Sequence, residues 1–211
     1  MRADRIRQRN FNPILMNNAV FVIAAYLLGS ISFGILVSKA FGLPDPRTVG
    51  SGNPGATNVL RSGKKLAALL TLLGDAAKGW LPVWLAQYYA LPVGVVCWVA
   101  VAVFLGHLYP VFYRFKGGKG VATALGVLLA FSPLLAGLAL LSWIVVFALT
   151  RFSSLAALTA AALAPGFAWL LLPQIGYIIV VFVLSLLLIW RHRSNIRKLL
   201  DGSEAGFGKK S

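Results

Sequence analysis

Residues 92–112 read PVGVVCWVAVAVFLGHLYPVF, and residues 113–120 continue as YRFKGGKG. The first stretch holds no Asp, Glu, Lys or Arg. As a helix it reaches across a bilayer, which takes about 20 mostly apolar residues. The second stretch turns abruptly basic and glycine-rich. This unit, an apolar span ending in a cationic loop, recurs along the chain. Further apolar segments lie at 19–40, 65–89, 119–131, 133–150, 153–172 and 174–191. Pro133 disfavours a helix continuing through Ser132, which separates the segment at 119–131 from the next. The pattern predicts an all-α polytopic integral membrane protein with about seven transmembrane helices.

Composition supports the same reading. Of 211 residues, 59% are hydrophobic and 12% charged, with a mean hydropathy of +0.81. A soluble domain carries about 25% charged residues, and one small soluble core cannot hide this much apolar surface. The net charge is +15, from 20 basic against 5 acidic residues. In a soluble protein that balance points to nucleic acid. Here it reads as positive-inside topology and attraction to anionic membrane lipids, with no nucleic-acid partner expected. Cys97 is the single cysteine, so no intrachain disulfide forms. No metal site and no cofactor are expected.

Ala19–Val37 leads on into further chain rather than a cleavage site, and is expected as the first span rather than a signal peptide. Before it, residues 1–18 read as a polar extension carrying Arg2, Arg5, Arg7 and Arg9. Residues 19–211 then form a single membrane-embedded domain, and Met16 is an alternative start. The loops after the first, third and fifth spans, with the C-terminal tail, carry most of the Lys and Arg. The short turns near 90–91, 132 and 173 carry none. Basic loops mark the cytoplasmic side. The N-terminus is therefore expected outside, in the periplasm, and the C-terminus in the cytoplasm. All the polar loops with chemical interest open on the cytoplasmic face.

The first of these runs from Asp45 to Arg61. Gly50, Gly52 and Gly55 let backbone N–H groups converge on an anion. Ser51, Asn53, Thr57 and Asn58 add neutral hydrogen-bond partners, and Arg61 offers a planar fork suited to phosphate. An ordinary Gly/Asn-rich turn has the same composition. The second loop contains Lys116-Gly117-Gly118-Lys119-Gly120 at the start of a helix, where free N–H groups and the helix dipole favour an anion. Gly120 stands where a Walker A loop requires Ser or Thr, so an ATPase is excluded; a lipid-facing basic turn is the alternative. In the tail, His192 and Asn195 share one face if the last span continues helically. Arg191, Arg193, Arg197 and Lys198 read as a topology anchor.

Together, Gly50–Arg61, Gly106–Thr123 and His192–Glu204 resemble, in order and spacing, the three cytoplasmic motifs of the bacterial acyl-phosphate:glycerol-3-phosphate acyltransferases, the PlsY family. The resemblance covers the chain from about Asn18. It implies a seven-helix enzyme of the bacterial inner membrane with its active site on the cytoplasmic face. The implied reaction moves an acyl group from acyl phosphate to glycerol 3-phosphate, giving lysophosphatidic acid, as the first acylation of phospholipid biosynthesis. The enzyme that supplies acyl phosphate becomes a candidate partner.

By the same resemblance, Ser51, Arg61, Lys119, His192 and Asn195 are catalytic. Gly50, Gly52, Asn53, Asn58, Lys116, Gly117, Gly118, Gly120 and Ser154 are expected to bind substrate phosphate, and Glu204 to be structural. Inside the second span, Asp75 and Lys78 stand three residues apart and are expected to form a structural ion pair. His107 is expected to be satisfied structurally.

The chemistry suits these residues. Acyl phosphate is already activated, so no covalent nucleophile is needed. No carboxylate is spaced to make a base of His107 or His192, so a substrate phosphate is expected to take the proton. A transporter would instead show inverted repeats and a midplane site, and a lipid-binding scaffold would not need the glycine loops.

Overall fold

The computed structural model describes residues 13–207, with side chains from residue 18. The four N-terminal arginines, Lys209 and Lys210 lie outside these residues. Ten α-helices follow one another: α1 Pro13–Gly29, α2 Phe33–Ala40, α3 Ala56–Leu60, α4 Lys65–Tyr88 and α5 Val93–Leu108; then α6 Val121–Phe131, α7 Pro133–Thr150, α8 Ser153–Leu171, α9 Ile175–Arg191 and α10 Arg193–Leu200. A 3-10 turn at Val111–Tyr113 follows α5. No strand occurs among the described residues.

Among the described residues, four helices are long and apolar enough to cross a membrane, or up to six if each of two bent pairs is one span. Three features depart from seven straight, full-length spans. The first segment begins at Pro13, inside the expected polar extension, and breaks between α1 and α2 with a 44° bend. At that break Gly29 lies against the backbone of Val103, and the Ile31 carbonyl, outside any helix, accepts from Lys78 Nζ at 2.6 Å. The last segment does not continue straight into its tail; α9 and α10 meet at His192 with a 57° bend. Finally, α6 has 11 residues, about 16 Å at 1.5 Å per residue. That is roughly half of a 30 Å hydrocarbon core.

The separation at Ser132-Pro133 falls where expected. Pro133 opens α7, and Ser132 Oγ accepts from the Leu135 N–H at 3.3 Å. Proline at the first helical position loses no hydrogen bond.

At the centre stands α5, whose Val99, Val103 and Phe104 are fully buried. In lipid the hydrophobic effect does not drive helices together, so close backbone approach must supply the attraction. Two reciprocal pairs of glycines provide it. Gly29 of α1 faces the Val103 carbonyl of α5, while Gly106 of α5 faces the Tyr26 carbonyl of α1. Gly79 of α4 faces the Thr123 carbonyl of α6, while Gly126 of α6 faces the Ala76 carbonyl of α4. Any side chain at these positions would strike backbone.

Asp75 and Lys78 on α4 form a buried ion pair at 2.7 Å. A lone charge at the bilayer centre costs about 2.5–3.5 kcal/mol on insertion scales, and pairing offsets part of that. The break between α1 and α2 supplies a second partner for the ammonium in the Ile31 carbonyl.

Candidate active site

The loops that carry the three motifs meet around one cavity of about 800 Å³. Its mouth is polar and its depth apolar. Ser51, Arg61, Lys119, His192 and Asn195, the five residues expected to be catalytic, all line it. Deeper in, Leu72, Leu125, Leu128, Trp143, Val181 and Leu184 replace them, from α4, α6, α7 and α9. A second, smaller cavity of about 210 Å³ shares Ser51, Asn53 and Lys119 with the first. Ser194 is common to both as well, and the smaller cavity adds Gly52, Gly117, Arg191 and Arg193.

A chain of hydrogen bonds crosses the mouth. Lys119 Nζ donates to Asn195 Oδ1, and Asn195 Nδ2 donates to Glu204 Oε1 at 2.7 Å. Ser154 Oγ donates to the same carboxylate oxygen. The tail bearing Glu204 is held from several sides. Phe207 N–H donates to the Arg151 carbonyl at 2.8 Å, and Arg61 donates to the Ala205 carbonyl at 3.1 Å.

Lys119 lies in the loop before α6, outside the spanning helices. Partial burial draws its pKa down to about 8, and the neighbouring Lys198, Arg191 and Arg61 add to the shift against the opposing Glu204. His192, at the bend after α9, is buried, and desolvation lowers its pKa to about 4. Its Nδ1 lies 2.8 Å from the Leu188 carbonyl. A carbonyl only accepts, so Nδ1 carries the proton and Nε2 keeps its lone pair. At neutral pH, His192 is an uncharged acceptor at the cavity.

Several expected phosphate contacts have other partners. The amide of Asn58 donates to the carbonyls of Pro46 and Val49, at 2.7 and 3.1 Å, and its oxygen accepts from Ser51 N–H at 2.9 Å. Both of its N–H groups are taken within the first loop, which Asn58 thereby shapes. The Ser154 hydroxyl is likewise committed to Glu204. Gly118 N–H donates to the His107 carbonyl at 3.2 Å, and is not free for an anion. Gly120, at φ +88°, packs on Phe104 and Leu108. Lys116 is exposed. Gly118, Gly120 and Lys116 are absent from both cavity walls. Gly50, Gly52, Asn53 and Gly117 do reach them.

One contributor escaped the motif reading. Arg191, taken for a topology anchor, donates to the carbonyls of both Gly117 and Gly118 at 3.0 Å and lies over the Tyr109 ring. It fixes which way the glycine-loop peptides face. Its place immediately before His192 was the available signal.

Residues 19–202 match the family model described as Glycerol-3-phosphate acyltransferase. The chain is 60% identical to the glycerol-3-phosphate acyltransferase of Nitrosospira multiformis, over 93% of this chain and 99% of that protein. With the enzyme of the same name from Paraburkholderia phytofirmans it shares 57% identity, over 92% and 93% of the two chains. Its fold is similar to a crystal structure of PlsY, an integral membrane glycerol 3-phosphate acyltransferase, in the glycerol 3-phosphate form. The TM-score is 0.87 at 43% identity, covering 91% of this chain and 96% of that one. The lysophosphatidic acid form gives 0.85 at 42% identity. The chain belongs to the glycerol-3-phosphate acyltransferase family.

Proposed function

We propose that the acyl donor is acyl phosphate, and that the protein makes 1-acyl-glycerol 3-phosphate and inorganic phosphate at the cytoplasmic face of the bacterial inner membrane. Seven apolar segments, counting the short α6, leave the two termini on opposite sides, and the basic loops support a cytoplasmic C-terminus. The carrying observation is that two cavities share Lys119, one continued by an apolar trough and the other polar throughout its named wall. The larger cavity suits an acyl phosphate, with the chain between α4, α6, α7 and α9 and the phosphate at Arg61 and Lys119. The smaller suits glycerol 3-phosphate, its phosphate facing Arg191, Arg193 and Lys119.

The difficulty for such a reaction is repulsion. Two unit charges 4 Å apart repel by about 4 kcal/mol at an effective dielectric of 20. The cations between the sites offset this and hold the glycerol hydroxyl near the acyl carbonyl. The glycerol oxygen then bonds to the acyl carbon, the acyl–oxygen bond to phosphate breaks, and the hydroxyl proton leaves on the phosphate. Uncharged His192 orients through Nε2. Asn195 and Glu204 hold Lys119 in place, and the Asp75–Lys78 pair is structural.

The experiment offers purified protein glycerol 3-phosphate with acyl phosphate, acyl-CoA and acyl carrier protein thioester in turn. Turnover with acyl phosphate alone is expected. Equal use of a thioester would remove the donor assignment.

A further inference from the structure

Beneath the glycine loop lies a buried polar cluster that the mechanism above does not use. His107 stands in the last turn of α5 and Thr123 in the first turn of α6, so the loop hangs between them. The Thr123 hydroxyl lies 3.0 Å from the Asp75 carbonyl and 3.1 Å from His107 Nδ1. Its one proton goes to the carbonyl, which can only accept, so Nδ1–H donates to Thr123 and Nε2 is bare. The Asp75 carboxylate, 3.7 Å from Nδ1, is too far to take that bond and pairs with Lys78 instead. Lys78 in turn holds the Ile31 carbonyl. The imidazole is thus fixed at one end by α4 and α6. Its other end meets the loop: a Cβ at Gly118 would lie 2.3 Å from Nε2, and Gly118 N–H bonds the His107 carbonyl.

We propose that His107 is a positioning residue, a seat for Gly118 that sets where Lys119 stands between the two phosphates. Lys119 follows Gly118 directly, so a shift of the seat displaces the ammonium and its bond to Asn195. The absence of a side chain at Gly118 is then required by the imidazole beneath it rather than by a ligand above it. This inference rests on the reading of the loop as a phosphate-binding element.

The test is a double-mutant cycle on Gly118→Ala and His107→Asn, measuring kcat and KM for both substrates with thermal midpoints alongside. Asn keeps a polar atom near Nδ1 but ends short of Nε2, making room for the new methyl group. Each single variant is expected to lose about tenfold in kcat/KM, mainly through KM, and the double variant to be no worse than either. His107→Gln, whose amide reaches the Nε2 position, should stay within about threefold of wild type. Additive losses of about a hundredfold in the double variant would overturn the proposal. So would His107→Asn with a lowered midpoint and wild-type KM, because that is a structural role alone. If His107→Asn does not fold, Thr123→Val removes the ring's anchor together with the hydroxyl's bond to the Asp75 carbonyl and leaves the imidazole in place. A raised KM there supports the seat and a wild-type KM overturns it. Lys119→Ala separates the two readings: wild-type KM for both substrates in that variant removes the loop reading itself.

Discussion

Lys119 and His192 are placed so that each loses its proton at a lower pH than an exposed side chain would. With a pKa of about 8, Lys119 is mostly protonated at pH 7 and loses its charge as pH rises through 8. Because the proton favours phosphate binding, kcat/KM is expected to fall above about pH 8. In kcat the fall should come at higher pH, since a bound phosphate stabilises the ammonium. Lys119→Arg, which stays charged, should abolish this alkaline limb whatever its absolute rate. A pH–rate profile of both proteins checks it.

His192, at about 4, is neutral across the working range and should contribute no ionisation near the usual imidazole value of about 6.5. Gln offers an acceptor without titrating, so His192→Gln is expected to retain clearly more activity than His192→Ala. A general base would behave otherwise: both variants would fall together by about 10²–10⁴, and the wild type would show an imidazole limb that each variant lacks.

At the scale of elements, the α4–α6 contact positions the loop, because α6 begins where the loop ends. Gly79 and Gly126 set that contact, and a Cβ at Gly126 would lie 2.0 Å from the Ala76 carbonyl. Gly126→Leu forces the helices apart, and overpacking of this kind costs about 1–3 kcal/mol or more. A lowered thermal midpoint together with loss of activity is expected. Gly137→Leu, where a Cβ meets nothing within 4 Å, should leave both near wild type. The tail is a second such element. Glu204 and Ala205 tie Asn195, Ser154 and Arg61 together, so the third motif works as a strap over the mouth as well as a source of His192.

For the whole molecule, the distribution of basic loops makes a prediction about sidedness. In a Cys97→Ser background, Lys116→Cys and Ser203→Cys should react with an impermeant maleimide only in inverted vesicles. Gln174→Cys should react only in intact spheroplasts. Reaction of all three from one side would refute the alternating topology. Deleting residues 1–12 should leave insertion and activity intact, since the described helices and all three motifs follow them.

The sequence alone determined the solvent and the family. Apolar length and a scarcity of charge leave few alternatives to membrane-spanning helices, because a backbone in lipid must satisfy its own hydrogen bonds. Pro133 placed a helix start because its geometry is local. The three motifs were legible because glycines, cations and amides at close spacing are also a local pattern. Which atoms face the ligand was not local. Asn58, Ser154 and Gly118 have the right chemistry for phosphate, yet their donors are taken by Pro46 and Val49, Glu204 and His107. Arg191 looked like an anchor until the fold brought the glycine-loop carbonyls to it. The breaks at Gly29–Ser32 and His192 were equally hidden. At the first, Lys78 takes the Ile31 carbonyl from 47 residues along the chain. A hydrogen bond is decided by which acceptor lies within about 3 Å, and only the packed helices set that distance.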